Sequence, residues 1–267
     1  CTATHKLLPT SCGMATVATL SLCHYRVPAI GYFSSSSIHT RGSRKHAQSL
    51  MPAADMKFGY GARQSDFQIR DVICGARMES QGISLGSRPP DFLLPEPLTG
   101  KLWKLEDFDS FPSLLVMFIC NHCPFVQHLK SDIVKLTNFY MQKGLAAVAI
   151  SSNSVITHPQ DGPNFMAEEA KAYDYQFPYL YDETQEVAND FNAVCTPEFF
   201  LFKKDGRRPF QLVYHGQFDD SRPGSSVPVT GRDLRMAIDS VLSFQPVGIV
   251  QKPSVGCSIK WHPHGKS

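Results

Sequence analysis

The stretch Leu114-Leu115-Val116-Met117-Phe118-Ile119-Cys120-Asn121-His122-Cys123-Pro124 decides how this chain is expected to fold. Its first six residues form an apolar run of the length of a buried β-strand. Pro124 suits the first turn of a helix, where its missing N–H costs nothing. Apolar side chains then recur at helical spacing as far as Tyr140. The stretch therefore predicts a buried strand, a Cys-x-x-Cys turn and a helix.

The two cysteines of this turn have the surroundings that a dithiol redox site needs. A helix N-terminus stabilises a thiolate through its unpaired N–H groups and its dipole, and the thiolate is the form that attacks disulfides. We therefore expect Cys120 to be the nucleophile, with a lowered pKa, and Cys123 to be the resolving thiol. His122 either stabilises the Cys120 thiolate or is an exposed loop residue. Asn121 and Pro124 complete the residues expected to tune the pair.

The flanking sequence predicts an α/β domain. Residues 145–150 form a second buried strand after the first helix, which favours a parallel pair with a right-handed crossover. A short hairpin is expected around Leu98-Thr99-Gly100, a further helix over about 164–173, and a β-hairpin over about 199–215. A last helix is expected to end at Leu242.

Cys195-Thr196-Pro197 stands directly before the first strand of the predicted β-hairpin, where a cis peptide bond is possible for Pro197. In this feature the chain resembles the thioredoxin superfamily, in which a cis-proline faces the Cys-x-x-Cys and the backbone before it pairs with the substrate polypeptide. The resemblance covers about residues 85–242. It implies a thioredoxin-like α/β fold, a central mixed β-sheet flanked by helices, with an N-terminal β-hairpin extension and an inserted helix. Thr196 and Pro197 would then contact the substrate backbone.

Within that superfamily the chain looks closest to the redoxin (alkyl hydroperoxide reductase/thiol-specific antioxidant) branch. The motif at residues 120–124 and the stretch at 255–261 resemble the peroxiredoxin-like proteins of bacteria and plant plastids. Peroxiredoxins place Pro and Thr seven and three residues before the peroxidatic cysteine, and neither Cys120 nor Cys123 has them. The resemblance therefore implies a thiol–disulfide oxidoreductase. A thiol peroxidase, or a non-catalytic binding or redox-sensing factor, is the alternative.

The expected partners follow from this chemistry. They are protein or small-molecule disulfides and a thiol electron donor, and no bound cofactor is required. Two further cysteines are candidate auxiliary thiols. Cys195 is either near Cys120 or a small buried residue, and Cys257 is either a resolving thiol on a mobile tail or incidental. A zinc site of Cys120, Cys123, Cys257 and His262 or His264 has suitable ligand types, but a strand–helix junction suits it poorly, and we expect no metal.

Acidic residues are unevenly distributed along the chain. Residues 1–54 contain no Asp or Glu, and all 24 acidic residues lie from Asp55 onward. A hydroxyl-rich, acid-free front is typical of an organelle transit peptide, so residues 1–80 are predicted to be a chloroplast (alternatively mitochondrial) transit peptide and a linker. The redoxin domain is predicted over 83–246 and an irregular tail over 247–267. The net charge of +2 gives no reason to expect nucleic acid, and no apolar run is long enough for a membrane helix.

Overall fold

The structure is a computed structural model that describes residues 77–81, 84–248 and 250–263. The predicted transit peptide and linker lie outside these residues as far as residue 76, as does His264. The strands are β1 (Arg77–Glu79), β2 (Leu93–Pro95), β3 (Leu102–Lys104), β4 (Ser113–Phe118), β5 (Leu145–Ser151), β6 (Tyr179–Tyr181), β7 (Cys195–Thr196), β8 (Glu198–Lys203), β9 (Gln211–Gly216) and β10 (Val255–Ser258). The α-helices are α1 (Pro124–Met141), α2 (Pro163–Ala172), α3 (Glu186–Asp190) and α4 (Arg232–Leu242).

The central sheet has the strand order β6-β5-β4-β8-β9. β4 and β5 pair in parallel, as do β5 and β6, whereas β8 runs antiparallel to both β4 and β9. Every residue of β4 and β5 is buried, because helices pack on both faces of the sheet. The predicted mixed sheet flanked by helices is therefore confirmed.

The outer elements also follow the sequence pattern. β2 and β3 form the predicted N-terminal hairpin, and α2 is the predicted inserted helix. The apolar face of α1, which includes Leu129, Ile133 and Tyr140, packs into the same core cluster as α4. No described helix combines the length and the apolar character that crossing a membrane would need.

The C-terminal segment differs from the prediction. The expectation of an irregular tail is wrong over Val255–Ser258, which forms β10 in the centre of a second sheet with the order β1-β10-β7. β1 lies before the predicted domain start at residue 83 and pairs with β10. These strands have two to four residues each, too few for a recognisable alternation of side chains. Their pairing joins distant parts of the chain and depends on the tertiary fold.

Candidate active site

The structure brings the two cysteines of the motif to one point. Cys120 follows the end of β4, and Cys123 is the N-cap of α1, with Pro124 at the first helical position. The Cys120 sulfur lies 3.4 Å from the Thr196 hydroxyl, and the Cys123 sulfur lies 3.2 Å from the Thr196 carbonyl oxygen. The Thr196–Pro197 peptide bond is cis. The sequence prediction that Thr196 and Pro197 lie beside the dithiol is therefore confirmed.

The electrostatics of the pair differ from the prediction. Burial raises the pKa of Cys120 well above its ordinary value. The pKa of Cys123 is lowered by hydrogen bonds from the Cys120 and Cys257 thiols, and the backbone N–H of Val126 contributes in the same direction. The predicted lowering of the Cys120 pKa is thus wrong, because burial, the contact with Cys123 and the charge of Asp161 all disfavour its thiolate. Of the two thiols, Cys123 is the one whose pKa lies below its ordinary value.

A buried carboxylate, Asp161, forms one side of the site. Its Oδ1 accepts hydrogen bonds from the backbone N–H groups of Asn121 (2.9 Å) and His122 (3.1 Å). Its Oδ2 contacts the His122 ring and accepts from the side-chain amide of Asn153 at 2.8 Å. Burial alone would raise the pKa of Asp161, but the hydrogen bonds from His122 and Asn153 outweigh it, so this pKa lies below its usual range. We call Asn121, His122, Asn153 and Asp161 the polar wall.

Neighbouring side chains hold the polar wall in place. The Asn121 side chain accepts a hydrogen bond from the Tyr179 hydroxyl at 3.0 Å. The His122 ring stacks on the His158 ring with a centroid separation of 4.7 Å, and its side chain is 21% exposed. Neither of the two interpretations considered for His122 describes its ring fully, since it packs between Asp161 and His158. It contacts Asp161 and remains partly accessible.

On the other side of the dithiol from the polar wall lie the paired strands β7 and β10. Cys257 lies opposite Thr196 in the antiparallel register, and Ser258 lies opposite Cys195. A Cβ on Gly256 would lie 2.0 Å from the Thr196 carbonyl oxygen, so the approach of β10 requires glycine at this position. We call Cys195, Thr196, Gly256 and Cys257 the strand wall. The backbone edge that the superfamily resemblance assigned to a substrate is occupied by the chain's own C-terminal segment.

The auxiliary thiols lie in different surroundings. Cys257 is buried and does not lie on a mobile tail. Cys195 is also buried, and its sulfur lies 3.6 Å from the Glu198 carboxylate. Burial and the charge of Glu198 raise the pKa of Cys195, which favours the interpretation that this thiol is a small buried residue.

Glu198 supports the strand wall from behind. Its Oε2 accepts from the backbone N–H groups of Val194 (2.9 Å) and Cys195 (3.1 Å), and its Oε1 lies 2.7 Å from His215 Nε2. Glu198 is fully buried. It fixes the backbone that leads into Thr196.

Among the described residues, the zinc ligand set considered above is not assembled, and His264 lies outside them. His262 instead bonds with the Ser154 hydroxyl at 2.9 Å and the Glu183 carbonyl at 2.7 Å. Among the residues that the structure describes, the potential metal ligands that come together are Cys120, His122 and Asp161, whose ligand atoms lie within 4.8 Å of one another. This group belongs to the polar wall and the dithiol.

The comparisons with known proteins agree with this geometry. The Redoxin family matches residues 84–231, which is more than half of the chain. The chain belongs to the Redoxin family. No curated protein matches the chain.

Two bacterial crystal structures resemble nearly the whole described part of this redoxin. One is an uncharacterized conserved protein from Geobacillus kaustophilus, with 47% identity and a TM-score of 0.68, covering 71% of this chain and 98% of the other. The second is a hypothetical protein from Sinorhizobium meliloti, with 48% identity and a TM-score of 0.66, covering 69% of this chain and 98% of the other. The family match and the fold make this a thioredoxin-like redox protein.

The sequence analysis did not single out Asp161, Asn153 or Glu198. A usable signal existed for Asp161. It lies in the loop after β5, and the carboxyl ends of parallel neighbours such as β4 and β5 meet at one sheet edge. An acidic residue in that loop is therefore a candidate neighbour of the Cys-x-x-Cys turn. Glu198 carried no comparable signal, because it reads as one polar residue at the start of an apolar strand.

Proposed function

We propose that this redoxin is a thiol–disulfide oxidoreductase that acts by dithiol–disulfide exchange at Cys120 and Cys123. The observation that carries the proposal is the placement of both sulfurs against Thr196, at 3.4 Å and 3.2 Å, beside the cis Thr196–Pro197 bond, with the pKa of Cys123 lowered. A thiolate that contacts a second thiol can both take that thiol's proton and resolve a mixed disulfide.

The exchange proceeds in two balanced steps. Cys120 attacks one sulfur of the substrate disulfide while its proton passes to the Cys123 thiolate, so a mixed disulfide forms and half of the substrate leaves as a thiolate. That thiolate takes the proton from Cys123. The Cys123 thiolate then attacks the Cys120 sulfur, and the Cys120–Cys123 disulfide forms as the second half leaves. A thiol electron donor reverses both steps.

Cys120 is the better candidate for the first attack because of its position. It adjoins the Asn121-His122 turn, where the His122 side chain is partly exposed. Both sulfurs are buried, but Cys123 is enclosed by α1, Thr196 and Cys257, whereas Cys120 borders the partly exposed turn. A small disulfide can approach beside His122, whereas a polypeptide substrate that pairs with Thr196 has to displace β10.

A rate comparison tests the proposal against the peroxidase alternative. We expect the reduced protein to react with glutathione disulfide much faster than with hydrogen peroxide, because the Pro and Thr that position peroxide are missing before both cysteines. Stopped-flow measurement of both second-order rates on one preparation decides the question. A peroxide rate far above that of an ordinary thiol, abolished by Cys120→Ser or Cys123→Ser, would replace the oxidoreductase with a peroxidase. If neither reagent reacts, the non-catalytic alternative gains support.

We also propose that the protein acts in a plastid, with a mitochondrion as the alternative. The proposal is supported by the composition of residues 1–54, which are rich in hydroxyl side chains and contain no acidic residue. N-terminal sequencing of protein purified from each organelle is the test. A mature end between residues 50 and 82 is expected, and a longer front that persists in the organelle would contradict it.

A further inference from the structure

The strand wall places a third thiol against the dithiol. Cys257 lies opposite Thr196, the residue whose carbonyl oxygen lies 3.2 Å from the Cys123 sulfur. Cys257 and Cys123 lie in the same buried cluster, and a hydrogen bond between their side chains lowers the pKa of Cys123. Cys123 therefore lies between two thiols, Cys120 on the side of β4 and Cys257 on the side of β10.

The contact between Cys123 and Cys257 depends on a closely built backbone. β10 approaches Thr196 so tightly that any side chain at position 256 would overlap the Thr196 carbonyl. The pairing continues beyond the strand, where the Ile259 N–H donates to the Val194 carbonyl at 3.0 Å. Farther along, Lys260 N–H donates to the Asn153 side chain at 2.8 Å, which ties the segment to the polar wall.

The other buried cysteine lacks this relation to the pair. Cys195 faces Ser258 in the register, and its thiol is directed at Glu198 and at the Ser254 carbonyl, 4.0 Å away. Its neighbouring carboxylate disfavours a thiolate. Burial alone therefore does not single out Cys257. Its contact with the Cys123 sulfur does.

We propose that Cys257 is a third redox thiol, which exchanges with the Cys120–Cys123 disulfide to form a Cys123–Cys257 disulfide. In this step the Cys257 sulfur attacks the Cys123 sulfur, the Cys120–Cys123 bond breaks, and Cys120 leaves as a thiolate that takes the proton lost by Cys257. No external oxidant is consumed, because the two electrons were already removed by the substrate disulfide. The inference rests on the proposed function, which supplies the first disulfide.

The exchange has a consequence for the site. It returns Cys120, the thiol beside the partly exposed His122, to its reduced form while the oxidised bond moves to the enclosed side. It also links β10 covalently to the N-terminus of α1. The C-terminal segment is then fixed over Thr196 for as long as the Cys123–Cys257 bond persists.

Disulfide mapping of the full chain tests the proposal. Reduced wild-type protein is oxidised with glutathione disulfide, quenched in acid, labelled at its free thiols, digested and analysed by mass spectrometry. We expect Cys120–Cys123 and Cys123–Cys257 disulfides in amounts within about tenfold of each other, because both join Cys123 to an adjacent thiol. Wild-type protein that contains only the Cys120–Cys123 bond keeps the proposed function and overturns this inference. Protein that forms neither bond overturns both.

Matched variants give a second, independent test. Diamide, a small oxidant that converts neighbouring thiol pairs to disulfides, is applied to Cys120→Ser protein, in which Cys123 has lost its first partner. We expect an intramolecular Cys123–Cys257 bond in this variant and in Cys120→Ser/Cys195→Ser, and none in Cys120→Ser/Cys257→Ser. A Cys120→Ser protein that forms no such bond, or that bonds Cys123 to Cys195 instead, contradicts the proposal.

Discussion

The two walls of the thiol site are built by different means. The polar wall is held by Asp161, a carboxylate that accepts two successive backbone N–H groups and contacts an imidazole. Glu198 does the same behind the strand wall, where it accepts from Val194 and Cys195 and pairs with His215. Half of the strand wall comes from a remote strand, since β10 supplies Gly256 and Cys257 and pairs with β7.

The two carboxylate–imidazole pairs differ in what surrounds them. The side chain of His122 is 21% exposed, whereas that of His215 is 3% exposed and stacks on Phe200. Asp161 also raises the pKa of Cys120, whereas Glu198 acts on Cys195. The comparison teaches that the polar wall sets the charge around the dithiol. The strand wall covers the dithiol and limits access to it.

The largest effect is expected at the support of the strand wall. Glu198→Ala leaves two buried backbone N–H groups and His215 without their acceptor, so the free energy of unfolding should fall by about 3–5 kcal/mol. Urea denaturation measures this change. The control is Asp205→Ala, an exposed carboxylate with 79% of its side chain accessible, for which a change within about 0.5 kcal/mol is expected. Equal effects of the two substitutions would remove Glu198 from this role.

A substitution at Gly256 tests whether β10 shields the thiols from solvent. Gly256→Ala introduces a Cβ that overlaps the Thr196 carbonyl, so β10 should separate from β7 and expose the thiols. We expect alkylation of Cys120 and Cys257 by iodoacetamide to become about tenfold to a hundredfold faster, as for loss of about 1.4–2.7 kcal/mol of closure. The matched control is Gly248→Ala, whose Cβ meets nothing within 4 Å. Unchanged labelling in Gly256→Ala would mean that β10 does not cover the pair.

The sequence predicts some parts of the site well and others poorly. The dithiol, Pro197 and the central strands were predictable because each depends on a short motif or on an apolar run within one segment. Asp161 accepts from backbone N–H groups about 40 residues earlier in the chain, so its role depends on the tertiary fold. Glu198 accepts from N–H groups three and four residues before it, but in the sequence it is a single polar residue at the start of an apolar strand. β10 was missed because its four residues pair with strands of two and three residues.

The charge of the polar wall gives the next prediction. The Asp161 carboxylate disfavours a second negative charge at Cys120, so Asp161→Asn should lower the Cys120 pKa and speed its alkylation at neutral pH by up to about tenfold. Glu198→Gln is the matched control, since Glu198 affects the pKa of Cys195, and it should leave the Cys120 rate unchanged. Site-resolved alkylation followed by mass spectrometry measures both. Equal acceleration in the two variants would show that loosening of the fold, and not charge, is responsible.

The smallest expected effect is the loss, in acid, of the stability that Asp161 contributes. Because the pKa of Asp161 is lower in the folded protein than in the unfolded chain, its carboxylate contributes stability above the unfolded pKa and loses it as pH falls through the folded value. The stability difference between wild type and Asp161→Asn should thus be constant from neutral pH to about pH 4 and shrink below it. Urea denaturation of both proteins at a series of pH values measures the difference. A gap that widens in acid would contradict the pKa direction.

The central claim is that Cys120 and Cys123 interconvert as one dithiol–disulfide pair. The most direct measurement is a redox titration of Cys257→Ser protein in glutathione buffers, with alkylation of each cysteine read by mass spectrometry, so that no third thiol takes part. As the glutathione buffer becomes more oxidising, we predict that alkylation of Cys120 and of Cys123 falls together along one two-electron curve. Its slope should be about 30 mV per tenfold change in the ratio of oxidised to reduced protein. Either Cys120→Ser or Cys123→Ser should abolish the curve. Two thiols that titrate independently, or that stay reduced in every buffer, would contradict the account.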